Sequence, residues 1–309
     1  MKKNSFSTHF LDRASVERTD IKWIKAQLRD KSTAIIPIFE SKVFCEIEAR
    51  QQAVFLLFNN FKHSSINNDT FIFLGRVENR SYFAVNILAS EQANTLVQQK
   101  NAEFTEFRQV APLLSYRDCA LLSLARFMVE WHSRNTYCGK CGSKTTSHEG
   151  GNVRICTNES CKENFYPSMD PAVIVLVTSG EKCLLGSQAK WSKGLYSTIA
   201  GFVEPGESIE DAVYREVEEE TGVRVEHIEY QSSQPWLFPA SLMLGFYAKA
   251  IDDKIAINKN ELDDVRWFTR EEIRENLNKD TMKLPMKVSI AYNLIKGWYE
   301  KGNAHKLGE

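Results

Sequence analysis

The stretch Gly201-Phe-Val-Glu-Pro-Gly-Glu-Ser-Ile-Glu-Asp-Ala-Val-Tyr-Arg-Glu-Val-Glu-Glu-Glu-Thr-Gly-Val223 decides how this 309-residue chain is read. It opens as a glycine-containing loop and continues as a helix. Ser208 followed three residues later by Asp211 is a capping-box-like start, and Gly222 stands where a helix ends in a left-handed residue. Glu216 and Glu219 are three apart and Glu216 and Glu220 four apart, so all three carboxylates share one helix face. Ile209, Val213 and Val217 form a second, apolar stripe suited to a core. Three crowded acids repel one another unless a cation neutralises them. Hard cations such as Mg²⁺ or Mn²⁺ take carboxylate oxygens and keep positions open for phosphate and water. The plainer alternative is a solvated acidic surface. Arg215 is within reach of Glu219 along the helix, or of Glu207 across the loop, and either pairing would fix carboxylate rotamers.

Around this segment the pattern is that of a mixed sheet between helices. Residues 171–177 are a continuous apolar run, as for a strand buried on both faces. Strand-like pieces recur at 182–185, 223–230, 242–249 and 264–268, with helical segments at 209–221 and 285–299. Upstream, short runs at 33–39, 53–58, 70–74 and 82–88 are rich in aromatic or β-branched residues. They predict a small, mainly antiparallel β domain with helical connections. Leu114, Leu121, Leu124, Ala125, Met128 and Val129 recur at helical spacing and predict a connecting helix, with His132 as a polar residue at its end. No internal repeat is visible. The expected division is 1–132, a β-rich domain with its helix; 133–167, a cysteine module; and 168–309, the domain that carries the acidic helix.

Four of the seven cysteines cluster as Cys138-Gly-Lys-Cys141 and Cys156-Thr-Asn-Glu-Ser-Cys161. Two short cysteine turns supply the four thiolates of a closed tetrahedral Zn²⁺ site, which leaves no open position and is therefore structural. Cys45, Cys119 and Cys183 lie in apolar surroundings and read as inert buried thiols.

The acidic stretch fits the Nudix signature G-x5-E-x7-R-E-U-x-E-E-x-G-U, with U aliphatic, at every fixed position. A second stretch, Ser233-Gln-Pro-Trp-Leu-Phe-Pro-Ala-Ser241, resembles the S-Q-P-W-P-F-P-x-S motif of the NADH pyrophosphatase branch, with Leu237 where that branch usually has proline. With the cysteine module and Tyr166-Pro167, the chain resembles the zinc-ribbon NADH pyrophosphatases along most of its length. The resemblance implies an α+β protein: a Nudix α/β/α sandwich with a mixed sheet, preceded by a zinc ribbon and a small β-rich N-terminal domain. It implies hydrolysis of NADH or NAD to (reduced) nicotinamide mononucleotide and AMP, and removal of NAD caps from RNA 5′ ends. It places catalytic Mg²⁺ or Mn²⁺ on Glu216, Glu219 and Glu220, with the Ala200 carbonyl and Glu261 completing the shell. It implies nucleotide contacts from Tyr166 and Phe202, from Gln234, Pro235, Trp236, Leu237, Phe238, Pro239, Ala240 and Ser241, and from Ala291. Members of the family are homodimers. The competing readings are a Nudix hydrolase for another nucleoside diphosphate and a zinc-ribbon RNA-binding regulator.

Composition adds exclusions. With 39 basic against 40 acidic residues there is no basic excess of the kind a dedicated nucleic-acid binder shows. The N-terminus has Lys2 and Lys3 but no apolar stretch after them, so no secretory signal is expected. No run approaches membrane-spanning length. A reducing cytoplasm is the expected location.

Overall fold

The β-strands build a five-stranded and a six-stranded sheet, each in its own compact unit, and a small three-stranded ribbon. The computed structural model describes residues 4–46, 52–61, 70–301 and 306–307; Lys2 and Lys3 lie outside them. One unit comprises Phe6–Ser168 with Leu237–Pro239, and the other comprises Met1–Ser5, Met169–Trp236 and Ala240–Glu309.

The first unit contains α1 (Ile21–Arg29), β1 (Ala34–Phe39), β2 (Lys42–Glu46), β3 (Phe71–Val77), β4 (Arg80–Asn86), α2 (Ser90–Lys100), β5 (Ala102–Thr105), α3 (Phe107–Val110) and α4 (Tyr116–Arg134). Its sheet runs β3-β4-β1-β2-β5, with β1 parallel to β4 and the other pairs antiparallel. Phe44, Phe73 and Phe83 are fully buried in an aromatic core between this sheet and α1. The strand expected at 53–58 is reduced to two bridges, Cys45 with Ala53 and Ile35 with Leu56, before a 3-10 turn at Phe58–Phe61. Asn60 explains the break: its side-chain oxygen accepts the Leu57 N–H at 2.9 Å and folds the chain back.

The cysteine module follows as a three-stranded ribbon, β6 (Thr145–His148), β7 (Val153–Cys156) and β8 (Asn164–Phe165), inside the same unit. His132, expected as a mere helix-end residue, is the tie. Its ring is buried, accepts from Arg154 Nη1 at Nδ1 (2.8 Å), and donates from Nε2 to the Gly151 carbonyl (2.7 Å). Arg154 Nη2 also donates to the Thr145 carbonyl at 2.9 Å, so α4 and the ribbon share one buried polar network.

The second unit contains β9 (Asp170–Ser179), β10 (Lys182–Ser187), β11 (Ile199–Phe202), α5 (Ile209–Thr221), β12 (Val225–Trp236), β13 (Ser241–Ala250), β14 (Asp264–Thr269), α6 (Arg270–Asn278) and α7 (Ile290–Glu300). The order is β12-β13-β9-β10-β14, with β11 paired to β9 and β13 parallel to β9. The apolar run predicted at 171–177 is buried on both faces. Val173, Val175 and Val177 pack with Val213 and Val217 of α5, while Ile174 and Leu176 pack with Ile295 and Trp298 of α7. A sheet between two helical layers results.

The two sheets are wired alike. Leaving aside β11, which pairs with β9 in the second sheet, the first strand of each is central, forms an antiparallel pair with the second, and runs parallel to the fourth; the third pairs with the fourth and the fifth with the second. The sequence shows no repeat, yet the topology is repeated. What differs is the segment between the second and third of these strands: it carries β11 and α5 in one unit, and only a short 3-10 turn among the described residues of the other. No described helix is long and apolar enough to cross a membrane.

Candidate active site

The chemistry gathers where α5 lies against β11. Ser208 accepts from the Asp211 N–H, and Asp211 accepts in return from the Ser208 N–H, closing the predicted capping box at 3.1 Å each way. Gly222 ends the helix at φ 71°, with its N–H on the Glu218 carbonyl at 2.8 Å. Beyond it, the Ala256 and Asn258 N–H groups donate to the carbonyls of Thr221 and Glu220 at 2.8 and 3.0 Å. These satisfy helix-end acceptors and bring the following turn, with Glu261, alongside the helix.

Glu216, Glu220 and Glu261 thereby offer carboxylate oxygens all within 4.8 Å of one another. Glu216 and Glu220 are buried and Glu261 is exposed. Burial first, and then the neighbouring Glu216 and Glu261 carboxylates, push Glu220 up to about 8. Glu216 is also raised, by burial against the downward pull of Arg215. An oxygen-only set that binds protons this tightly is one that a hard divalent cation suits in their place. Gly201 makes room for it: a Cβ there would lie 1.9 Å from the Glu216 carboxyl carbon. Ala200, expected to present its carbonyl to a metal, is the preceding residue of β11.

Glu219 stands outside this trio. The helix face is shared as predicted, but its carboxylate is 55% exposed and is taken by Arg215 Nη1 at 3.1 Å. Arg215 also reaches Glu216 (2.9 Å), Glu207 through Nε (2.5 Å) and Nη2 (2.9 Å), and the Phe202 carbonyl (2.9 Å). Both pairings open in the sequence are made at once. That two-pronged contact, helped by the Glu204 N–H, holds Glu207 down at about 2. The guanidinium thus locks the glycine loop onto the helix and holds Glu216 through Oε1.

The residues expected at the nucleotide are disposed unevenly. Trp236 and Ala291 line one apolar cavity of about 270 Å³, together with Ile174, Leu195 and Met243. Phe202, 57% exposed, presents its ring from the end of β11. Tyr166, in the other unit, is 61% exposed. Gln234, by contrast, is wholly buried: Nε2 donates to the Ser5 and Val288 carbonyls, and Oε1 accepts the Ile290 N–H at 2.7 Å. Its amide is committed to starting α7. Phe238 stacks on Phe107 (5.4 Å, 16°) between Arg108 and Arg126, and Leu237 is buried with its carbonyl on Arg126 Nη1. Pro235 and Ser241 lie in the β12–β13 ladder, Pro239 is exposed, and the Ala240 carbonyl accepts the Asp170 N–H. The aromatic loop is therefore not one platform, because most of its side chains are used in packing.

In the ribbon, the sulfurs of Cys138, Cys141, Cys156 and Cys161 all lie within 4.8 Å, with 138–161 and 141–156 separations of 3.8 and 3.4 Å. A tetrahedron with Zn–S bonds of ~2.3 Å has edges of about 3.8 Å, so the donor set fits such an ion. Cys45, Cys119 and Cys183 are buried, and burial pushes the Cys45 and Cys119 thiols up to about 12, so they are inert as expected.

A carboxylate-bearing helix against a mixed sheet of this wiring defines the Nudix hydrolase class, and residues 169–288 match the NUDIX domain model. Residues 32–131 match a second model, the NADH pyrophosphatase-like rudimentary NUDIX domain, which accounts for the repeated topology. The chain is 35% identical over 340 residues to "NAD-capped RNA hydrolase NUDT12" of Macaca fascicularis, spanning 96% of this chain and 73% of that protein. It is 37% identical over 233 residues to the mitochondrial "NAD(P)H pyrophosphatase NUDT13" of Mus musculus (71% and 66%). It is 41% identical over 165 residues to "NAD-capped RNA hydrolase NudC" of Pseudomonas aeruginosa (53% and 56%). The chain belongs to the NADH pyrophosphatase branch of the Nudix hydrolases.

Proposed function

We propose that this protein hydrolyses the diphosphate of NADH or NAD to (reduced) nicotinamide mononucleotide and AMP, and removes NAD caps from RNA 5′ ends. The observation that carries the reading is the buried pair Glu216 and Glu220 meeting Glu261 beside Gly201. Those three would hold Mg²⁺ or Mn²⁺, with the Ala200 carbonyl and Glu219 completing the shell as the family resemblance implies. Such ions neutralise diphosphate oxygens and lower the pKa of bound water. Arg215 keeps the carboxylates in place, so that little reorganisation is needed as charge develops. Phe202 and the Trp236–Ala291 cavity supply aromatic and apolar faces for the two bases; a nucleotide contact from Tyr166 is implied by the family resemblance. Zn²⁺ on the four cysteines has a structural role. The same resemblance assigns a homodimer, and the seven unpaired thiols suit a reducing, cytoplasmic setting.

The test is a turnover panel with Mg²⁺ or Mn²⁺: NADH, NAD, ADP-ribose, a dinucleoside polyphosphate and an NAD-capped RNA, with products resolved by chromatography. Release of AMP with reduced nicotinamide mononucleotide supports the proposal. Preference for the polyphosphate, with NADH and capped RNA inert, would replace it.

A further inference from the structure

A second cavity of about 700 Å³ opens in the C-terminal unit, within the roughly 300–1,000 Å³ typical of small-molecule sites. It is divided from the Trp236–Ala291 cavity by a single extended segment. Past the turn at Gly194, Tyr196 faces the larger cavity, while Leu195 and Ser197 face the smaller, as the period of two in extended chain requires. A second segment reinforces the partition. The Tyr196 N–H donates to the Lys283 carbonyl (3.0 Å) and the Lys283 N–H to the Gly194 carbonyl (2.7 Å). Thr281 and Met282 line one side, Pro285 and Met286 the other. The rim also adjoins the acidic site along the chain: Asp263, two residues past Glu261, donates its N–H to Ser187 at 2.8 Å, and both line the larger cavity.

Its wall chemistry suits a nucleotide. Trp191 is half-buried and offers a ring for stacking. Asp264 is occupied, accepting from the Tyr196 hydroxyl and pairing with Arg266 at 2.6 Å. Lys193 is exposed, and among the described residues it has no ion-pair partner, so its ammonium remains for a phosphate. NADH, however, has only two bases, and Phe202 and the smaller cavity already serve them in the proposed reading. A free dinucleotide leaves the larger cavity without a ligand; an RNA chain attached to the cap does not.

We infer that this cavity holds a nucleotide of the RNA that follows the NAD cap, its base on Trp191 and its phosphate near Lys193. This rests on the proposed cap-removing activity. It makes Trp191 and Lys193 determinants of specificity for capped RNA over the free dinucleotide, leaving the hydrolytic site itself unchanged.

The experiment compares kcat/KM for NADH and for an NAD-capped oligoribonucleotide in wild type, Trp191→Ala and Lys193→Glu, with the thermal midpoint of each variant recorded. Lys193 is exposed, so its variant tests the idea even if Trp191→Ala folds poorly. The expected result is NADH turnover within about twofold of wild type, with capped-RNA kcat/KM reduced by roughly tenfold, the size that loss of one base–aromatic stack commands. Equal losses on both substrates would assign the cavity to the dinucleotide and overturn the inference, as would no loss on either. Wild-type enzyme that cleaves NADH but not the capped RNA would overturn it too, while leaving the pyrophosphatase reading intact. Wild-type enzyme inactive on both would overturn the reading along with it.

Discussion

Substituting Gly201 by alanine should separate folding from activity. The added Cβ would lie 1.9 Å from the Glu216 carboxyl carbon, about 1.5 Å short of an ordinary carbon–carbon contact. The obstructing group is the end of a side chain, so the strand need not move; the carboxylate must. Leaving its place, it breaks the 2.9 Å bond to Arg215 and departs from Glu220 and Glu261. A displacement of about 1 Å in a catalytic constellation costs on the order of 10²-fold. Gly201→Ala should therefore keep a thermal midpoint within a few degrees of wild type, lose roughly 100-fold or more in kcat/KM on NADH, and need more Mg²⁺ to reach half-maximal rate. The assay is NADH turnover across a Mg²⁺ titration, alongside thermal melts. A variant with wild-type rate and metal requirement would show that Glu216 does not need the position seen here.

Three other perturbations have defined signs. In metal-free protein Glu220 stands at about 8 against an ordinary 4.5, so the folded state keeps a proton that the unfolded chain has released. The stability it contributes is complete below pH 4.5 and is lost as pH rises toward 8. Glu207, held at about 2, has the opposite sign but acts only below its ordinary 4.5, outside that window. Denaturant titrations in chelator at about pH 6 and about pH 8 should show the loss and added Mg²⁺ should remove it; a flat profile in chelator would argue against the buried acids. Gln234→Ala leaves the buried Ile290 N–H without its acceptor and should cost roughly 2–4 kcal/mol of stability, measurable by denaturant titration. Cys138→Ser should lose the ribbon's metal, one equivalent per chain by elemental analysis, and lower folding yield or dimer content. A soluble variant of normal stability that lost only catalytic rate would contradict a structural ion.

Much of the second unit is legible in the sequence because its signals are local. The capping box at Ser208, the glycine at 222 and the run 171–177 each state their structure within a few residues. The carboxylate helix is legible for the same reason, and the cysteine spacing fixes the ribbon donors. What is not legible depends on contacts far apart in the chain. Glu261 joins the buried acids, and Glu219 does not, because the turn after Ala256 docks on the end of α5 while Arg215 claims the outer carboxylate. Gln234 reads as a ligand-binding amide, but its partners Ser5 and Val288 lie distant in sequence. Phe238 reads as a platform until Phe107 and two arginines surround it. The repeated sheet is hidden because a topology is preserved while the residues that would reveal it differ, and because the segment between Glu46 and Phe71 carries no counterpart of the Nudix motif.

The most direct test of the central claim is NADH turnover by Glu220→Gln beside wild type at saturating Mg²⁺, with AMP and reduced nicotinamide mononucleotide quantified. Gln is isosteric and removes the charge at the most strongly perturbed member of the trio. The structure predicts that wild type forms both products in equal amounts, while Glu220→Gln, folded and zinc-loaded, falls by at least about 100-fold. Full activity in that variant would contradict the assignment of Glu216, Glu220 and Glu261 as the centre that holds the catalytic ions.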